Sequence, residues 1–164
     1  MLSGSSFDPR NGENSMKKRL IGTVAATAVL APALMFSASG QAFAATKTVT
    51  WKNKGNGKCL VASGFWVGVG DCGPAAKWKE TKQSDGTFVL KSADHGFCLD
   101  SKKDGTVRAN VCNGGKNQKW REIKDSLGWR LQNKATGLTL GSKTSAGSPV
   151  YAGFDGGIKH QRWS

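Results

Sequence analysis

The chain has 164 residues, with 24 Lys and Arg against 11 Asp and Glu for a formal net charge of +13. That length holds one ordinary domain beside a leader segment. The surplus of positive charge points to polyanionic rather than cationic partners. From the N-terminus, residues 1–15 are polar and read as an untranslated or disordered leader, because a basic stretch normally opens the segment that follows. Residues 16–44 predict a secretory signal peptide: Lys17-Lys18-Arg19 supply the positive start, Leu20 to Phe36 the apolar run, and Ala42-Phe43-Ala44 a small-residue cleavage site. The competing reading, an uncleaved membrane anchor, is weakened by Pro32 and by Ser37-Ala38-Ser39-Gly40, which carry no basic stop-transfer flank. Cleavage after Ala44 yields a secreted protein without a membrane anchor, with 20 Lys and Arg against 9 Asp and Glu in residues 45–164.

Across 45–164 the sequence is one unit written three times. Trp78, Trp120 and Trp163 recur at near-equal spacing, the last two closing Gln118-Lys119-Trp120 and Gln161-Arg162-Trp163. Upstream of each lies a Gly-x-x-Leu turn and strand: Gly57-Lys58-Cys59-Leu60, Gly96-Phe97-Cys98-Leu99 and Gly137-Leu138-Thr139-Leu140. Before each turn an apolar or alternating stretch predicts a strand, at Val49-Thr50-Trp51, Phe88-Val89-Leu90 and Trp129-Arg130-Leu131, with turn formers such as Ser84-Asp85-Gly86 and Lys103-Asp104-Gly105 between strands. No apolar spacing of helical period runs over several turns, so the class is all-β.

Four cysteines permit three pairings. Each of the first two repeats holds one pair at similar separation in an exported, oxidising context, which predicts the disulfides Cys59–Cys72 and Cys98–Cys112. The rival use, a zinc site, lacks any Cys-x-x-Cys pair. The third repeat has Thr139 at the first cysteine position and Phe154 near the second, so it is expected to rely on packing alone.

Threefold units of about 40 residues, with Cys98-Leu99-Asp100, Cys112-Asn113-Gly114-Gly115 and Asn117-Gln118-Lys119-Trp120, resemble the ricin B-chain type lectins. The resemblance spans Val49 to Trp163. It implies a β-trefoil, six two-stranded hairpins of which half close a short barrel and half cap it, with Trp78, Trp120 and Trp163 as structural core. It also implies a shallow sugar pocket in each repeat, built from an acid after Cys-Leu, an aromatic ring two residues before the second cysteine, and an Asn-Gln pair. A pyranose offers fixed pairs of hydroxyls that a carboxylate accepts from while an amide donates and accepts.

Carried onto this sequence, the second repeat keeps Asp100, Asn117 and Gln118, with Asn110 at the stacking position and Arg108 at the polar position before it. The first repeat has Val61, Gly70 and Ala75-Ala76 in those places and reads as dead. The third has Gly141 for the acid, His160 for the Asn, retains Gln161, and carries Tyr151 and Phe154 near the stacking loop. The plainer readings stand beside these: Gln118 and Gln161 satisfy backbone groups inside the fold, and Asp100 braces a turn.

Catalysis finds little support, since only His95 and His160 remain in the mature part, Asp94 and His95 are neighbours in a turn, and no acid pair faces an evident cleft. No cofactor or metal is called for. The lysines, among them Lys52, Lys54, Lys58, Lys77, Lys79, Lys102, Lys103 and Lys116, suit cell-wall polymers, acidic polysaccharides or sulfated glycans, or else serve solubility alone. No stacking platform points to nucleic acid. The reading is a monomeric, secreted, non-catalytic carbohydrate-binding module, with a protein-interaction module (an inhibitor or complex subunit) as the alternative.

Overall fold

The computed structural model describes residues 45–164. The leader at 1–15 and the signal peptide at 16–44 lie outside the described residues. Eleven short strands follow in order: β1 (Thr46–Val49), β2 (Cys59–Ser63), β3 (Trp66–Gly70), β4 (Trp78–Lys82), β5 (Phe88–Ser92), β6 (Cys98–Ser101), β7 (Val107–Asn110), β8 (Trp120–Asp125), β9 (Gly128–Asn133), β10 (Thr139–Ser142) and β11 (Val150–Gly153). A 3-10 turn precedes each repeat tryptophan, at Pro74–Ala76, Lys116–Gln118 and Lys159–Gln161. No α-helix occurs among the described residues, as the absence of helical periodicity predicts.

Strands β1, β4, β5, β8 and β9 pair antiparallel in that order. The C-terminal residues close the ring: Trp129 and Trp163 exchange backbone hydrogen bonds of 2.8 Å each, and Lys52 and Ser164 exchange two of 2.9 Å. Hairpins β2–β3, β6–β7 and β10–β11 cap one end. Each cap leans on the next in a cycle, through Val69 N–H to Ser148 O, Ala109 N–H to Phe65 O and Ala152 N–H to Gly105 O, at 3.0, 2.9 and 2.8 Å. The architecture is a β-trefoil, and the ring leaves the barrel without an exposed edge strand.

The repeated residues explain why the three units fold alike. Trp78, Trp120 and Trp163 are fully buried, and each indole N–H donates to the carbonyl of its own repeat's Gly-x-x-Leu leucine: Leu60 at 3.0 Å, Leu99 at 2.9 Å and Leu140 at 3.1 Å. Burying one such ring contributes about 5 kcal/mol as an upper estimate, and the indole hydrogen bond removes the penalty for hiding its N–H. The leucines themselves, with Leu90 and Leu131 from the barrel, complete the core. Gly57, Gly96 and Gly137 turn the chain into these strands at φ of 70°, 73° and 73°, a left-handed conformation that a side chain resists, while each N–H bonds back to the carbonyl of Asn53, Ser92 or Asn133.

Both expected disulfides are present, Cys59–Cys72 and Cys98–Cys112, each with Cα atoms 5.1 Å apart. The expectation that the third repeat relies on packing alone is overturned. The register Thr139↔Gly153 matches Cys98↔Asn110, which puts Asp155, not Phe154, at the second cysteine position. Asp155 is clamped by the buried Arg162, whose Nη1 and Nη2 reach its two oxygens at 2.8 and 3.2 Å, and Arg130 pairs with it from β9. Arg162 Nε also donates to Asp125 Oδ2 at 2.7 Å. An ionic clamp thus stands where the other repeats have a covalent link.

Candidate functional site

In the second repeat, register decides what shares a face. Asp100 lies opposite Arg108 and Cys98 opposite Asn110, so Asp100, Arg108 and Asn110 share one face of the β6–β7 hairpin, while Leu99 and Ala109 fill the core behind it. The 3-10 turn carrying Asn117 and Gln118 packs beside β6. The Asp100 side chain is only 6% exposed, and Arg108 Nε stands 3.7 Å from its Oδ1, an ion pair too long for a hydrogen bond. Among the described residues nothing donates a hydrogen bond to this carboxylate, and Arg108 Nε is buried without a partner. Asn117 is exposed and its side-chain amide engages no described residue, its backbone carbonyl being held by Asn133 Nδ2 at 2.7 Å. Asn110 is half-buried, and its side-chain oxygen accepts from Val111 N–H at 2.9 Å.

Gln118 is placed differently from the other four. It is wholly buried, its Oε1 accepts from Asn113 N–H at 2.9 Å and its Nε2 donates to Val111 O at 2.9 Å. Gln161 repeats the pattern with Gly156 N–H and Phe154 O, both at 2.7 Å. Both amides are spent on the loop that leads into the 3-10 turn. Of the five candidates, that leaves Asp100, Arg108, Asn110 and Asn117.

The other two pockets are filled from within. In the third repeat Tyr151 occupies the position of Arg108 and Gly153 that of Asn110. The Tyr151 ring lies over Gly141, where a Cβ would come within 2.6 Å of its Cζ, so no acid fits there. His160 takes the place of Asn117 and lies against Gly55, its Nδ1 buried with no partner among the described residues. In the first repeat the Trp66 ring lies across Gly68, the counterpart of Arg108, and a Cβ there would collide with it. Paired glycines at pocket positions were the signal in the sequence that an aromatic ring lies flat on the backbone; the ring's identity was not legible, because Trp66 sits two residues before the position it covers.

The Asp94–His95 pair is exposed, with 3.4 Å between His95 Nε2 and Asp94 Oδ2. No group of three or more His, Cys, Asp or Glu able to hold a metal ion occurs among the described residues.

This fold defines a class, the β-trefoils. Residues 74–153 match the model of the family described as ricin-type beta-trefoil lectin domain-like. No curated protein matches the sequence. Among solved structures, the chain is similar to a designed 3-fold symmetric protein, ThreeFoil, with TM-score 0.65 and 24% identity over 71% of this chain and 95% of that one. It is similar to 1,3Gal43A, an exo-beta-1,3-galactanase from Clostridium thermocellum, with TM-score 0.66 and 20% identity, and to a GlcNAcα1-4Gal releasing endo-β-galactosidase from Clostridium perfringens, with TM-score 0.64 and 19% identity. Each alignment covers 72% of this chain but only 30% and 32% of those enzymes, so the present chain spans about a third of their length. These likenesses establish the fold.

Proposed function

We propose that this is a secreted, non-catalytic carbohydrate-binding module whose working pocket is that of the second repeat. The observation that carries the reading is Asp100: a buried carboxylate ordinarily collects hydrogen bonds from its own protein, and this one receives none among the described residues. Its oxygens are left to accept from the paired hydroxyls of a sugar, with the Asn117 amide alongside. Arg108, half-exposed above the acid, adds a charge suited to a carboxylate or sulfate on the same glycan. The family match and the likeness to parts of an exo-beta-1,3-galactanase and an endo-β-galactosidase support carbohydrate as the ligand class. Without an aromatic ring at Asn110 single-site affinity is weak, and binding to polymers gains from repeated engagement.

The test is depletion of the purified protein by insoluble and immobilised polysaccharides, neutral and acidic, for wild type, Asp100→Ala and Asn117→Ala across a salt series. Retention that survives high salt and falls at least about tenfold in Asp100→Ala is expected, the loss of a charged hydrogen-bond acceptor. Retention lost to salt equally in all three proteins would reduce the protein to a polycation on a polyanion. A second reading, a protein-docking module, is favoured by Phe154, which is 91% exposed beside Ile158, and by Phe65 and Trp66 at the β2–β3 turn. It is the reading left standing if no polysaccharide retains the protein at any salt.

A further inference from the structure

A cavity of about 270 Å³ opens at one end of the barrel, lined by Lys47, Val49, Thr50, Trp51, Glu122, Trp129 and Ser164. It shares no residue with the second-repeat pocket. Glu80 and Glu122 occupy equivalent places two residues after Trp78 and Trp120, on the inward faces of β4 and β8. Lys47 Nζ meets Glu80 Oε1 at 2.8 Å. Burial pushes the Glu122 carboxyl up to about 8, helped by the neighbouring Glu80 charge, with Lys47 pulling the other way. At neutral pH Glu122 therefore keeps its proton and is a neutral group at the cavity wall.

Several buried polar atoms here have no hydrogen-bond partner among the described residues, both Glu80 oxygens among them. Trp51 is 7% exposed and its indole N–H has no acceptor, whereas the three repeat tryptophans all have one; Glu122 Oε1 is likewise buried and unengaged. Trp129 offers a ring on the same wall, with Lys124 Nζ 5.5 Å from its centroid. The charged side chains on the lining are Lys47, paired with Glu80, and Glu122, and Lys124 lies over the Trp129 ring.

We propose that this end of the barrel is a second, independent ligand site, for one neutral polyhydroxylated ring of pyranose type. Its hydroxyls would accept from Trp51 N–H and donate to Glu122, and its apolar face would lie on Trp129 and Val49. The volume lies just under the range of about 300–1,000 Å³ typical of small-molecule pockets, which suits one ring rather than a chain. With the second-repeat pocket it gives one chain two points of attachment to a glycan surface.

The experiment follows the indole N–H resonances of Trp51 and Trp129 in ¹H–¹⁵N spectra while methyl glycosides of galactose, glucose and N-acetylglucosamine are titrated into protein carrying Asp100→Ala and Asn117→Ala, so that failure of the second-repeat pocket cannot mask or mimic the result. Saturable shifts of both resonances with at least one glycoside, weakened about tenfold or more by adding Trp129→Leu, are expected. Should Trp129→Leu not fold, Glu122→Ala carries the same comparison, removing the acceptor and leaving the ring. Spectra unmoved by all three glycosides, or shifts undiminished in a folded Trp129→Leu or Glu122→Ala protein, would overturn the proposal.

Discussion

Replacing Arg162 by alanine removes the centre of the third repeat's clamp. The Arg162 side chain is 4% exposed and donates to Asp125 Oδ2 at 2.7 Å, to Asp155 at 2.8 and 3.2 Å, and to the Gln161 carbonyl at 3.1 Å. Removing one partner of a buried ionic group costs about 3–5 kcal/mol, and the lower end applies because Asp125 and Asp155 stay partly exposed and Asp155 keeps Arg130. About 3 kcal/mol is also what closing a loop the length of either disulfide is worth, which is the sense in which the clamp replaces the missing bond. For a domain of about 120 residues the unfolding entropy is about 0.25 kcal/mol/K, so Tm should fall by about 12 °C. Arg162 holds the Asp155 carboxyl well below the usual carboxylate range by hydrogen bonding. A depressed carboxylate stabilises fully above its unfolded value of about 3.9 and loses that contribution as pH falls toward its lower folded value, so the gap between wild type and Arg162→Ala should be full at neutral pH and shrink by about pH 2. Thermal denaturation followed by circular dichroism at both pH values measures this. A neutral-pH loss under about 4 °C, or a gap indifferent to pH, would refute the clamp.

Thr139 is buried with its hydroxyl unpartnered, so Thr139→Val should raise stability by about 1 kcal/mol in chemical denaturation, with unchanged m. Thr139→Cys with Asp155→Cys should form a third disulfide, seen as a mass loss of two hydrogens, yet yield little net stability because it strips Arg162 of its main partner. Glu122 carries a raised folded pKa, so the folded state binds the extra proton between its unfolded value and about 8 and stability declines as pH rises through that window; Glu122→Gln should flatten Tm between those limits, and an unchanged slope would show that Glu122 does not hold that proton. Gly96→Ala should cost about 1–2 kcal/mol, read by the same denaturation, because it forces a side chain into the left-handed region at φ 73°.

What the sequence by itself determined is whatever the threefold repetition wrote three times. Trp78, Trp120 and Trp163, the Gly-x-x-Leu turns and one cysteine pair in each of two repeats specify strands, core and disulfides, because a side chain recurring at equal spacing must meet the same surroundings in every copy. Asp100, Arg108, Asn110 and Asn117 were legible for the same reason, as positions in a repeated frame. Only the tertiary structure decided what breaks that symmetry. Gln118 turned inward because the loop's backbone N–H and C=O at Asn113 and Val111 needed partners. Asp155 and Arg162 found Asp125 and Arg130 through strands that register, not sequence distance, brings together. Trp66 and Tyr151 fill the first and third pockets because glycines at 68 and 141 leave the backbone bare for a ring to cover. Glu80 and Glu122 each sit two residues after a repeat tryptophan, yet the raised Glu122 carboxyl required knowing that both face one barrel, where burial and the Glu80 charge disfavour a second negative charge.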